Sequence, residues 1–268
     1  YMYDETPPPG CFLDDLPYPD EDAQAMQQVL LSYGDFEASN ILTLVDYQAT
    51  KAAIQDAITN WLASRAAPQD TVVIYYVGHG GQLGDVAPYD DEADGVDEWL
   101  IPSDWSCDTD SAISDDELDT WLDTVNSQHM VLFFDSCFSG GMFSAAAEGE
   151  TPCRSRCLPP PPGVIVRATA QEIIPMDVGQ SGRLVLTASR EDQESFECDS
   201  LRSGVFSYYL RQALQSAAAD TSSNGWVSGE EAYVYLKPLV ESEMCYQPWL
   251  QNPQIDDGTS GEEDVTQP

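Results

Sequence analysis

The 268-residue chain is 42% hydrophobic, too apolar for a disordered polymer, yet it carries 47 acidic against 10 basic residues, a formal net charge of −37. Such a surface repels nucleic acid and anionic membranes and attracts cations or basic peptides. No apolar run approaches the roughly 18 residues that a membrane-spanning helix needs.

Lys51 and Lys237 are the only lysines, and a solvated acidic coat of the salt-adapted kind accounts for the charge as well as a basic partner does. Seven cysteines are many for a reducing compartment. An exported protein is therefore the first expectation, and the cytoplasm of a salt-adapted organism the second. If one cysteine is catalytic, an even number remains for bridges, and the close pair Cys153 and Cys157 suits a small disulfide loop. The matching second half of a zinc site is missing.

In chain order, "YPDEDAQAMQQVLLSYG" reads as a helix opened by acids and closed by Gly34, and "NILTLVD" as a β-branched strand. "TKAAIQDAITNWLASRA" is an amphipathic helix with Ile54, Ile58, Trp61 and Leu62 on one face. "TVVIYYV" is a continuous apolar strand, buried on both faces. After an acidic loop, "SDDELDTWLDTVN" is a helix capped by Ser114, and "HMVLFFDSC" a second buried strand. Residues 145–162, rich in Gly, Ser, Cys and Pro, read as an exposed loop. "RLVLTAS" resumes the sheet, "GVFSYYLRQALQSAAA" and "SGEEAYVYLKPLV" are helices, and 256–268 reads as an acidic disordered tail. This alternation predicts an α/β fold: a mainly parallel sheet covered by helices on both sides, in one domain over residues 1–255.

Two buried strands end in reactive groups, the first at His79 and the second at Cys137. In an open parallel sheet, groups at the carboxyl ends of neighbouring strands meet in one crevice. A thiolate nucleophile with an imidazole proton carrier needs that pairing. The glycines around both leave room for a substrate backbone, and the N–H groups of Gly80 and Cys137 are placed to cradle an oxyanion.

"YYVGHGG" followed by "FFDSCFSGG" resembles the caspase-like cysteine peptidases, in particular metacaspases and their bacterial relatives. "DDEADGVDEWLIPSDW", "ISDDEL" and "GVFSYYLRQAL" also look like that family. The resemblance implies a three-layer α/β/α sandwich of the caspase–hemoglobinase type, with Cys137 as nucleophile and His79 as general acid/base. The family's first strand is missing, with Tyr1 to Tyr3 as its expected stump. Phe138 replaces a His common after the nucleophile, and Val77 a pocket-lining Ser.

By the resemblance, Asp135 and Asp22 stand where Arg/Lys-specific members carry the acids of the primary specificity pocket. A buried carboxylate pair calls for a cation, and no arginine is visible near either motif, so a basic substrate side chain is the expected partner. Arg154 and Arg156, in "CRSRC", lie where the family has an activation cleavage, which suggests self-cleavage there. A bridge between Cys153 and Cys157 would hold the nicked ends.

Calcium is the one cofactor expected, and no organic cofactor is. The resemblance gives it Asp97, Asp115 and Asp116, a fourth ligand position being Ser144; hard oxygen donors suit the ion. Separately, "DTSSNGWVSGEE" fits an EF-hand spacing, with Asp220, Ser222, Asn224, the Trp226 carbonyl, Ser228 and Glu231 as ligands, although a helix-capping turn explains it better. Cys11, Cys107, Cys198 and Cys245 read as bridges or buried thiols, and His129 as a surface residue. The expected activity is cleavage of peptide or protein substrates after Arg or Lys. The competing expectation is a catalytically silent, acidic calcium-binding or protein-interaction module on the same fold.

Overall fold

A computed structural model describes residues 13, 15–84, 96–137, 153–156, 178, 182–190, 193–243, 245 and 250–268. Helix α1 (Pro19–Tyr33) starts with Pro at its first turn and with Asp20, Glu21 and Asp22 at the positive end of its dipole. Gly34 ends it. Helix α2 (Lys51–Asp56), capped by Thr50, runs on as a π-helical stretch over Ala57–Leu62. The next elements are β1 (Thr71–Val77), β2 (Gly80–Gly84), β3 (Val96–Leu100), β4 (Ile113–Ser114), α3 (Asp115–Leu122) and β5 (His129–Asp135). Then follow β6 (Cys153–Ser155), β7 (Arg183–Thr187), β8 (Phe196–Cys198), β9 (Ser203–Gly204) and α4 (Val205–Leu214). Last come β10 (Val227–Ser228), α5 (Gly229–Ser242), β11 (Gln254–Asp257) and β12 (Asp264–Thr266).

The central sheet has the order β1-β5-β7-β11, with β1, β5 and β7 parallel and β11 antiparallel. Strand alternation divides its side chains between two cores. Val131, Phe133, Leu184 and Leu186 pack with Met26, Val29 and Leu30 of α1 and with the buried faces of α4 and α5. Val72, Met130, Leu132, Phe134 and Val185 face the other way, onto Ile58, Leu118, Trp121 and Leu122. Both faces are covered, which is why these strands read as unbroken apolar runs. The result is the expected three-layer α/β/α sandwich with a mainly parallel sheet. No described helix is long and apolar enough to cross a membrane.

Three expectations are corrected. The segment 41–45 forms no ladder and is extended chain between two 3-10 turns. It lines an apolar groove of about 1000 Å³ whose other wall is β1, the edge strand of the sheet. A β-branched sequence favours extension, but a strand needs a partner, and β1 does not supply one across this groove. The segment 256–268 is ordered: β11 pairs with β7, β12 pairs with β10, and Val265 is buried. Its one aliphatic side chain, Val265, points inward, a placement that average composition hides.

The third correction concerns 145–162. Its described part, 153–156, is no exposed loop: β6 pairs antiparallel with β8, and Arg156 is wholly buried. Cys157, and with it the expected local bridge to Cys153, lies outside the described residues, as do Ser144 and Phe138. The described disulfide joins Cys198 on β8 to Cys245 beyond α5.

Candidate active site

The register of the parallel pair places Val77 of β1 opposite Asp135 of β5. Two residues further, His79 and Cys137 therefore leave neighbouring strands at the same end of the sheet, and both are buried. Gly78 N–H donates to Asp135 O at 3.3 Å, tying the two strand ends together. A Cβ on Gly80 would collide with Cys137 O and reach Ser136 Cβ at 3.0 Å, so the backbone runs against Cys137 only because position 80 is glycine.

Arg156 lies at this junction. Its N–H donates to Ser195 O at 3.0 Å, and its carbonyl accepts from Gly80 N–H at 3.3 Å. His79 Nδ1 is 2.9 Å from the same carbonyl oxygen, which can only accept, so Nδ1 carries the proton in this arrangement. Cys137 Sγ accepts from Ser195 N–H at 3.0 Å and lies 3.4 Å from Ser195 O. It is held in a disulfide, as Cys107 is. The ladder of β6 on β8 aligns Cys153, Arg154 and Ser155 with Cys198, Glu197 and Phe196, so the segment enters the site as an extended strand.

The Arg156 guanidinium fills an acidic pocket. Nη1 lies 2.9 Å from Asp135 Oδ2 and donates to Asp135 O at 3.0 Å. Nη2 lies 3.3 Å from Asp22 Oδ2 and 3.6 Å from Glu197 Oε2. Burial opposes the guanidinium charge, but Asp135, Glu197 and Asp22 outweigh it and hold the pKa above the ordinary arginine value. Asp135 also accepts from Ser195 Oγ at 2.7 Å, from Ser207 N–H at 3.0 Å and from the Ser207 hydroxyl. Asp22 accepts from Ser203 Oγ at 2.6 Å and Gly204 N–H at 2.8 Å, and pairs with Arg211 Nη1 at 2.9 Å. Burial still pushes the Asp22 carboxyl upward, against both arginines and these hydrogen bonds. Tyr75, hydrogen-bonded to Ser207 Oγ at 2.5 Å, is pushed up by burial and then by the Asp22 and Asp135 charges.

The expectation that no arginine lies near the two motifs is thus corrected: Arg156 and Arg211 both reach Asp22. The pocket also contains residues that sequence reasoning missed, namely Glu197, Ser195, Ser203, Ser207 and Arg211. No motif marks them, because they come from β8 and the residue just before it, from β9 and from α4, and converge only in the fold. Of the arginines expected at a cleavage point, Arg154 has only its backbone described, in β6.

Asp97 on β3 and Asp115 and Asp116 at the start of α3 bring carboxylate oxygens within 4.8 Å of one another, the first two of these residues being buried. Three convergent hard donors fit a calcium ion, with carbonyls or waters completing the shell. The EF-hand-like set does not assemble in this way. Asp220 accepts from the Asn224 and Gly225 N–H groups, and Trp226 N–H donates to Asn224 Oδ1. Glu231 accepts from Ser222 N–H and Ser228 N–H, and Ser228 Oγ accepts from Glu231 N–H, a capping box at the start of α5. Both Glu231 oxygens are occupied, so this segment is a helix-capping turn. His129 is partly exposed and pairs with Glu263 at 3.0 Å.

Known proteins resemble this chain in sequence and in fold. The family model "Metacaspase, peptidase C14 domain" matches residues 14–146. Metacaspase-1 of Candida albicans is 36% identical over 141 residues, 48% of this chain and 30% of that protein. Metacaspase-4 of Arabidopsis thaliana is 32% identical over 133 residues, 47% of this chain and 30% of that protein. The chain thus spans about 30% of the length of these curated relatives. Among solved structures, a Geobacter sulfurreducens protein superposes with a TM-score of 0.59 at 21% identity, covering 92% of this chain and 86% of that one. Pro-sf-caspase-1 superposes with a TM-score of 0.51 at 12% identity, covering 97% and 85%.

Proposed function

We propose that the chain is a caspase-like cysteine endopeptidase, with a metacaspase-type peptidase domain over residues 14–146, that cleaves after basic residues and first cleaves itself after Arg156. The observation that carries this reading is Arg156 itself. Its side chain sits among Asp22, Asp135 and Glu197 while its carbonyl lies between His79 Nδ1 and Gly80 N–H. A mere structural arginine would have no need to present its peptide carbonyl to a histidine and a glycine N–H beside a cysteine.

The chemistry follows from these positions. The Cys137 thiolate attacks the carbonyl carbon of the basic residue, and Gly80 N–H, with the N–H of Cys137, steadies the oxyanion. His79 gives its proton to the departing amine, leaving a thioester; water then cleaves the thioester as His79 takes a proton back. A sulfur held in a disulfide cannot attack, so the enzyme needs a reductant. Calcium at Asp97, Asp115 and Asp116 would supply charge compensation and fix β3 against α3. Strand β2, which pairs with β3, begins at Gly80, so the ion would steady the loop that presents His79.

Incubation with reductant and calcium, followed by mass spectrometry, tests the reading. Wild type is expected to yield two fragments divided after Arg156, and Cys137→Ala to stay intact. Intact chains in both would overturn self-cleavage. Failure to turn over any Arg-ending or Lys-ending fluorogenic peptide would overturn the peptidase and leave the silent binding module.

A further inference from the structure

We propose that Tyr76 is a positioning residue of the site: its hydroxyl aims the Gly80 N–H at the oxyanion by holding the other end of the same peptide unit. This rests on the peptidase reading and deepens it at the oxyanion.

The adjacent tyrosines near the end of β1 face opposite ways. Side chains alternate along a strand, so Tyr75 turns to the acidic pocket and reaches Ser207, while Tyr76 packs on the other face, against the core that contains Leu100, Leu132 and Phe134. From there the Tyr76 hydroxyl reaches the His79 carbonyl oxygen at 2.7 Å. Ile101, just beyond β3, completes a three-cornered junction. Its N–H donates to the Tyr76 hydroxyl at 3.1 Å and to His79 O at 3.2 Å, and its carbonyl oxygen lies 3.0 Å from the hydroxyl. A tyrosine hydroxyl has one proton to give. The His79 carbonyl is the nearer acceptor, so the proton goes there while the oxygen accepts from Ile101.

The carbonyl of His79 and the N–H of Gly80 are the two ends of one planar amide, and they point to opposite sides of it. One end is fastened to Tyr76 and Ile101. The other, 3.3 Å from Arg156 O, is the donor that the oxyanion requires. Rotation of this plane would swing the N–H away from the oxyanion, and it cannot occur without breaking the bonds at the carbonyl. Glycine makes such an anchor necessary, because its backbone resists rotation less than that of any other residue. Hydrogen bonds at the carbonyl also polarise the amide and strengthen its N–H as a donor. A donor fixed beforehand costs no reorganisation when charge develops on the oxygen. A hydroxyl that merely satisfied a loop carbonyl would serve at any peptide unit; this one holds the unit whose far end meets the Arg156 carbonyl.

Tyr76→Phe keeps the ring and removes only the hydroxyl. With an Arg-ending or Lys-ending fluorogenic peptide, reductant and calcium, kcat is expected to fall about tenfold, with KM within about twofold of wild type. Outright loss of an oxyanion donor costs more, on the order of 10²–10³ in kcat, because here the donor stays in place and is only less firmly aimed. An unchanged kcat, or a higher KM at wild-type kcat, overturns the proposal. Amide hydrogen exchange needs no turnover. In a Cys137→Ala background, Tyr76→Phe should speed exchange at the Gly80 amide while the amides of β5 keep their rates. Unchanged exchange at Gly80, or faster exchange throughout the sheet, overturns the proposal. If wild type cleaves neither peptide, the peptidase reading fails, while exchange at Gly80 still decides whether the hydroxyl holds that peptide unit.

Discussion

Asp22 lies between two arginines, yet burial dominates its titration and raises its carboxyl pKa above the ordinary aspartate range. The folded state therefore holds this proton more tightly than the unfolded chain does. Asp22 contributes stability below its unfolded pKa and loses that contribution as pH rises through the raised folded value. Function runs the other way, because only the ionised form attracts a basic side chain. As pH falls through that raised value, KM for Arg peptides is expected to rise, at a higher pH than an ordinary aspartate would allow. Asp22→Asn should raise KM at neutral pH and flatten this acid limb; an acid limb unchanged in the variant would assign it to another group. At this scale much was legible in the sequence. His79 and Cys137 announce themselves by their places at the ends of apolar strands, and the family resemblance adds Asp135 and Asp22. Glu197 and Arg211 do not, since each sits in a short strand or on a helix flank that looks solvated until partners from distant segments close over it.

Among the elements, long apolar runs were easier to read than short paired segments. "HMVLFFD" is buried almost throughout as the inner strand β5, and "TVVIYYV", apolar along its whole length, is the edge strand β1 with most of its side chains partly buried. β6, β8 and β12 have three residues each, too few for a period to appear, and their pairing is decided by what lies opposite. The final segment illustrates the difference. Val265 is buried, Thr266 Oγ1 donates to Leu214 O at 2.6 Å, and Gly229 N–H donates to Glu263 O at 3.0 Å. β12 is thus fastened to α4 and to the start of α5. Val265→Ala is expected to cost about 2 kcal/mol in urea unfolding, and removal of 259–268 to cost more than that. An unchanged midpoint in the shortened chain would restore the reading of this segment as a tail.

For the whole molecule, a net charge of −37 means that any concentration of carboxylates is held against strong mutual repulsion. The Asp97, Asp115 and Asp116 group is one such place, with oxygens within 4.8 Å. Calcium is expected to raise Tm, EDTA to reverse the gain, and Asp97→Asn with Asp116→Asn to abolish it. Identical melts with calcium and with EDTA would remove the ion from the account. Global charge was plain in the sequence; which acids gather was not, because gathering depends on how β3 and α3 approach.

Arg156 also has a bearing on kinetic order. If self-cleavage follows Arg156 as proposed, that residue is already seated in its own chain's pocket at an effective concentration that no dissolved substrate reaches. Its cleavage would be unimolecular, with a half-life that is the same in a dilute exudate as in a crowded compartment. Foreign substrates would meet a pocket that is occupied until that event and open after it. The strand that blocks the site would then act as its clock, started by reduction of Cys137 and indifferent to how many copies of the protein are near.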